Sequence, residues 1–315
     1  MNLLNETFTT RHPQLEDAEI VHQLIVANDV AEYGQADTDL EEILHDWSNL
    51  DLDQDAWLVC GPDDAAGLLG YASLIKGSHD FRLDFYTHPE QASPGLANYL
   101  IDLAEARAQA QLSADTTAGT AAVPLTTISP SVNRANIQAI EQAGFTPFKY
   151  HFRMQIDQAV PPVTPTWPAG CTLRTIVAGQ DDRLLYDFIY RAFDWHDEPP
   201  PNFAWWRDFM MRSDHFRPDL WFLLFHETDL IGAALCYDYV DYGWVRQLGV
   251  EKSWRRRGLG SDLLRYVFNI FYGQGRPKVA LGVEANNLNA VALYERIGMR
   301  RVRQYNEYGK HLTAS

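Results

Sequence analysis

Residues 247–264 read QLGVEKSWRRRGLGSDLL, and the reading of this stretch decides the fold of the half that holds it. The apolar run up to Val250 is strand-like, a loop with three consecutive arginines follows, and Gly258 and Gly260 stand where an amphipathic helix over 258–271 must begin. Two glycines let a backbone approach a ligand closely, and first-turn N–H groups of a helix are unpaired donors. Arg255, Arg256 and Arg257 add positive charge at the same spot. That is the chemistry of a pyrophosphate site. It is not a Walker loop, since no G-K-[ST] follows, nor a dinucleotide fingerprint, since the third glycine and the acid on the next strand are missing.

Working outward, the second half reads as α/β. Strands are expected at 172–175, 221–225, 230–237, 242–250, 279–283 and 300–307, and helices at 181–192, 258–271 and 287–297. The HETD break between 225 and 230 is turn-like and predicts an antiparallel hairpin. Upstream, QAVPPVTPTWPAG over 158–170 carries four prolines, which forbid a helix and favour an extended connection. It falls at the midpoint of a 315-residue chain whose length already points to two domains.

The halves are faint copies of each other. A shift of 154 puts Asn133 on Asn287, Glu141 on Glu295 and Gly144 on Gly298, and a shift of 163 puts Gly95 on Gly258 and Ala97 on Gly260. The nine-residue difference is accounted for by the small, polar stretch SADTTAGTAA near Ser113, which reads as a longer surface loop. The expected division is a first domain over 1–157, a linker over 158–170 and a second domain over 171–315.

With 46% hydrophobic residues the chain has material for sizeable cores. No run approaches a membrane span and the N-terminus has neither a basic nor an apolar leader region, so a cytoplasmic protein that spans no membrane is expected. Cys60, Cys171 and Cys236 are too few and too scattered for a disulfide framework or a zinc knuckle. The net charge of -16 argues against a nucleic-acid partner. That charge is unevenly divided: residues 1–157 hold 24 acids and 7 bases, leaving 18 acids and 19 bases for the remainder. An anionic ligand is therefore expected in the second half.

Two motifs in this half resemble those of the GNAT superfamily of acetyl-CoA-dependent N-acetyltransferases. Its signature Q/R-x-x-G-x-G/A is met by Arg255, Arg256, Arg257, Gly258, Leu259 and Gly260, and its N-x-x-A-x-x-L-Y signature by Asn287, Ala290, Leu293 and Tyr294, with Met299 in place of the Phe after Gly298. The resemblance covers the second half and, weakly, the first. It implies an α/β (α+β) chain of two tandem GNAT-like domains, each a mixed, mostly antiparallel sheet flanked by helices. In the first half Ala92, Ser93 and Pro94 replace the three arginines and Ile140 replaces the tyrosine, so that domain is expected to be a degenerate copy that packs against the active one and walls the acceptor site.

The resemblance further implies acetyl-CoA as cosubstrate, a small-molecule amine as acceptor, and a monomer or homodimer. Leu248, Gly249 and Val250 are expected to pair with the pantetheine arm, Ser261 to join the phosphate site, and Asn287 to hydrogen-bond the pantetheine. Leu248 N–H is the expected oxyanion donor and Tyr294 the proton donor to the coenzyme sulfur. Where many relatives place a Glu on the strand before the arginine loop, this chain offers Trp244, Arg246 and Gln247, leaving Asp238, Asp241 and Glu251 nearby as candidate bases beside proton removal by water. The acceptor is expected near Asp238, Asp241, Trp244 and the segment with Phe193, Trp195, His196, Asp197, Glu198, Phe203, Trp205 and Trp206, although FAWW at helical spacing also reads as core. No metal is expected, because adjacent ligands such as His196 and Asp197 do not converge on one ion and no H-E-x-x-H is present. A non-catalytic acyl-CoA sensor and a protein N-terminal acetyltransferase are the alternatives.

Overall fold

The computed structural model describes residues 8–61, 67–77, 79–114, 122–193, 201–211, 215–239 and 241–313. It comprises two compact units, Met1–His151 with Arg303–Ser315, and Phe152–Val302. In chain order the elements are β1 (Thr9–Arg11), α1 (Ala18–Tyr33), α2 (Leu40–Trp47), α3 (Leu52–Asp55), β2 (Ala56–Cys60), β3 (Leu68–Lys76), β4 (Phe81–Thr87), α4 (Leu96–Ala114), β5 (Val123–Pro130), α5 (Arg134–Gln142) and β6 (Thr146–Asp157). They continue with β7 (Cys171–Thr175), α6 (Asp182–Ala192), α7 (Phe203–Met211), β8 (Phe216–His226), β9 (Asp229–Asp238), β10 (Gly243–Val250), α8 (Leu259–Gly273), β11 (Lys278–Glu284), α9 (Leu288–Arg296) and β12 (Arg300–Leu312). No described helix is long and apolar enough to cross a membrane.

In the second unit the strand order runs β6-β11-β10-β9-β8-β7. Residues 230–237 of β9 are buried without a break, the pattern of a strand covered on both faces. Its side chains alternate between two cores. Ala234 and Cys236 join Leu264, Val267, Phe268, Phe271 and Val291 of α8 and α9, whereas Ala233, Leu235 and Tyr237 join Leu185, Phe188, Ile189 and Trp206 of α6 and α7. Gly243 marks how closely α8 lies: a Cβ there would stand 2.4 Å from the Phe271 ring.

The first unit repeats this plan in the order β1-β2-β3-β4-β5 with β12 beside β5. Leu83 and Phe85 of β4 pack with Leu100, Ala104 and Ala108 of α4, and the opposite face packs Val21, Leu24 and Ile25 of α1 on Leu58 and Tyr71. In both units the central strand pairs in parallel with the next over three residues, 81–83 with 125–127 and 243–245 with 279–281.

The compact units begin and end at other residues than the boundaries read from the sequence. Residues 152–157 of β6 belong to the second unit, and 303–312 of β12 to the first, where Tyr305 through Leu312 pair antiparallel with Pro130 through Val123 of β5. The repeat shows which residues were copied but not which edge each last strand extends; β5 has backbone donors and acceptors on its outer edge that must be paired. The segment 158–170 is neither helix nor strand. It lies on the second unit, with Gln158 N–H donating to Pro277 O at 3.1 Å and the Trp167 ring tilted against that of Tyr266, their centres 6.1 Å apart.

Candidate active site

The site is built where β10 leaves β11. Their pairing covers residues 243–245 and 279–281, while β10 stays paired with β9 as far as Val250. Glu251 N–H donates toward β9, to Ile231 O at 2.9 Å. Because donors alternate along a strand, Leu248 and Val250 present their N–H groups to the other edge, over the gap. A further extended chain can pair there as a strand would, and these are the positions expected to hold the pantetheine arm.

At the end of this edge, Gly258 adopts φ 90° as N-cap of α8 and offers no side-chain cap. The first-turn amides, including those of Leu259, Gly260 and Ser261, therefore point outward as free donors. The three arginines take different parts. Arg255 Nε donates to Val250 O at 3.2 Å and its Nη2 to Ala192 O. Arg256 stands at φ 61°, and the Arg257 guanidinium lies 4.8 Å from the Trp254 ring centre. All three are exposed, so the loop keeps its charge at the surface beside the free amides.

Tyr294 is buried on α9 in the cluster that Leu248 also packs against, which brings the two catalytic candidates to the same side of the sheet. Burial pushes its phenol up to about 12, so it is a neutral O–H donor near pH 7. Asn287 is exposed and caps α9, its Oδ1 accepting from Ala290 N at 3.2 Å. That oxygen is committed to the helix.

The acceptor-side candidates divide. Trp244 joins the α6 and α7 core, its indole 3.7 Å from where a Cβ on Gly282 would stand, and Arg153 lies 5.3 Å from its ring centre. Asp238 is ion-paired. Its Oδ2 takes Arg217 at 3.2 Å and its Oδ1 takes Arg276, arginines that no local pattern ties to it. Asp241 is exposed. Glu251 is likewise engaged: a 2.8 Å hydrogen bond from Arg191 holds its carboxyl below the ordinary range. Trp195, His196, Asp197 and Glu198 lie outside the described residues. Of the FAWW residues, Trp206 is core at 2% exposure, and Trp205, at 56%, stacks on Phe209 at 4.9 Å.

Sequence reasoning missed one feature of β10, a bulge. Val245 faces Cys236 and Gln247 faces Leu235, leaving Arg246 as an extra residue. In the first unit β4 runs against β3 in unbroken register. That unit keeps the turn, with Gly95 at φ 89° and Asn133 capping α5 through Asn136 N at 3.0 Å, but Ile140 is fully buried where the second unit has Tyr294.

The family model described as Acetyltransferase (GNAT) family matches residues 183–299. A mycothiol acetyltransferase of Streptomyces coelicolor is 33% identical over 136 residues, 42% of this chain and 44% of that one. An N-alpha-acetyltransferase of Arabidopsis thaliana is 32% identical over 95 residues, 29% of this chain and 50% of that one. The matched region thus spans about half the length of these curated relatives. A GCN5-related N-acetyltransferase from Sphaerobacter thermophilus superposes with a TM-score of 0.82 at 30% identity, covering 98% of this chain and 96% of that one. A tandem GNAT protein from the clavulanic acid biosynthesis pathway, at 14% identity, has a TM-score of 0.69 over 96% of this chain and 98% of that one and shares the fold. Extended likeness at 30% identity, joined to the two motifs on one side of a parted strand pair, places the chain in the GCN5-related N-acetyltransferase (GNAT) family.

Proposed function

We propose that the second unit transfers an acetyl group from acetyl-CoA to a primary amine of a small molecule. The observation that carries this reading is the open edge of β10, where Leu248 and Val250 turn their amides to a gap that ends at the Gly258 turn and the arginine loop. Acetyl-CoA fits the donor set: an edge for an amide-bearing arm, then free helix amides and exposed arginines for phosphates. Bound there, it supplies the activated acyl group.

The chain's own residues then have defined tasks. Leu248 N–H holds the carbonyl oxygen as negative charge develops on it. Tyr294 keeps a proton on Oη for the departing sulfur, which its raised pKa ensures across the neutral range. Arg255 fixes the loop, and Arg256 and Arg257 face the phosphates. The mycothiol acetyltransferases make the natural acceptor of those enzymes a member of the substrate panel. The test is acetyl-CoA consumption with a panel of primary amines, in the natural chain and in Tyr294→Phe. Turnover that falls in the variant while acetyl-CoA binding persists supports the reading. Binding with no turnover of any amine by the natural chain leaves the sensor reading instead.

A further inference from the structure

The bulge in β10 decides which side chain stands beside the gap on the acceptor side. Trp244 faces α6 and α7, and Val245 faces α8 and α9. Arg246 returns to the first side, its guanidinium 5.9 Å from the Phe209 ring centre. In an unbroken strand Gln247 would share the face of Val245. The extra residue reverses this: Leu248 packs toward α8, and the Cβ position of Gly249 points at Phe188, Phe193 and Ala192 of the α6 side. Gln247 therefore lies on the α6 and α7 side, next to Arg246 and just where β10 has parted from β11.

Its side-chain oxygen Oε1 is buried and has no hydrogen-bond partner. An amide oxygen withdrawn from water without a donor is unfavourable, and such groups are rare enough to ask for an explanation. Trp244 and the carbon at Gly249 make its neighbours along the strand apolar, and Arg246 interacts with Tyr237. Gln247 thus offers an unfilled acceptor where an incoming nucleophile would stand.

We propose that Gln247 positions the acceptor, its Oε1 accepting one N–H of the neutral amine so that the nitrogen lone pair faces the acyl carbon. This rests on the transferase reading. An uncharged oxygen directs an N–H without retaining the ammonium form, and the adjacent Arg246 cation disfavours that form further. The bonds that change stay those of acyl transfer: the nitrogen gains the acyl group and loses one proton, and the thiol leaves protonated. Gln247 takes up no proton.

The test uses the full chain with glycinamide, glucosamine and tyramine as probes. Gln247→Leu, similar in volume, is expected to lower kcat/KM for the amine about tenfold, chiefly through its KM, with the dissociation constant for acetyl-CoA and the melting temperature unchanged. Gln247→Glu, which keeps an acceptor oxygen but carries a charge that retains the ammonium form, is expected to keep the amine KM within about threefold of the natural value while lowering kcat. An unchanged KM in Gln247→Leu, with amines still acylated, overturns the positioning role alone. Should Gln247→Leu fold poorly, a Gln247→Glu variant whose amine KM rises as far as that of Gln247→Ala overturns it equally. If the natural chain binds acetyl-CoA and acylates none of the probes, the transferase reading falls and this role falls with it.

Discussion

Arg255 turns back on the strand that precedes it, its Nε donating to the main-chain oxygen of Val250 at 3.2 Å. A second bond from the same guanidinium reaches Ala192 O at the end of α6, so one side chain ties the loop to two elements. Arg255→Ala leaves both carbonyls without this donor, and about 1 kcal/mol of stability is expected to go with it. Acetyl-CoA binding should weaken as well, because the loop loses its brace. Arg257→Ala should weaken binding, by roughly three- to tenfold, without the loss of stability. Calorimetric titration beside thermal melting separates the two; equal melting losses in both variants would refute the division of labour.

Arg256 occupies the left-handed region at φ 61°, a conformation that costs a side-chain-bearing residue about 1 kcal/mol. Arg256→Gly is expected to melt at the same temperature or higher while binding acetyl-CoA less tightly. Its remaining affinity should also depend less steeply on salt, since one cation has gone. A fall in melting temperature would show that the Arg256 side chain holds the loop together.

Tyr294 makes two expectations, one kinetic and one thermodynamic. Tyr294→Phe removes the proton donor and should lower kcat roughly a hundredfold with the acetyl-CoA dissociation constant kept. The phenol is pushed up to about 12 by burial, above the 10.0 of an exposed tyrosine, so the folded state holds this proton more tightly than the unfolded state. Its contribution is complete below pH 10 and is lost as pH rises through 12, roughly 2–3 kcal/mol in all. Urea unfolding at pH 9 and at pH 11.5 should therefore show a smaller decline for Tyr294→Phe than for the natural chain. The difference between the two chains isolates this group from the other tyrosines.

What was legible in the sequence is local chemistry. A glycine needing positive φ at 258, a run of arginines before it and a tyrosine at helical spacing in 287–294 all declare themselves within a few residues. The bulge at Arg246 does not, because only the register against β9 reveals an extra residue. Nor does the clamp on Asp238, whose partner Arg276 is 38 residues away. By its place in the sequence Asp238 is a candidate base; in the fold it is the ion-paired end of a strand. Asn287, the second-motif residue, proved to be visible for its capping geometry, a role that many sequences give to Asn before a helix.

With Asp238 and Glu251 both ion-paired, the acceptor amine is expected to arrive neutral from solution rather than be deprotonated by either residue. The rise of kcat/KM with pH should then follow the substrate. An α-amine with a pKa of about 8 and an alkylamine with one of about 10 should give inflections about two pH units apart. Asp238→Asn should leave both inflections where they are. A common inflection for the two amines, or one displaced by Asp238→Asn, would reveal a protein base and overturn this expectation.

The last strand carries a final prediction about the first unit. Residues 305–312 pair along β5, and Arg303, just before them and only 5% exposed, donates to Asp37 at 2.9 Å beneath the Tyr33 ring. Asp29 stands 3.8 Å from the same nitrogen, and burial holds its carboxyl above the ordinary range. Ending the chain at Val302 would strip β5 of its partner and leave these acids without their cation. Loss of one partner from a buried pair alone costs about 3–5 kcal/mol, a large share of the stability of a domain this size. A chain ending at 302 is therefore expected to lose amide-exchange protection in β5 and to aggregate through its exposed edge. Arg303→Leu tests the pairing separately, since it keeps the strand and removes only the charge: it should melt lower while β5 remains protected. Full protection of β5 in the truncated chain would show that the first unit folds without residues 303–312.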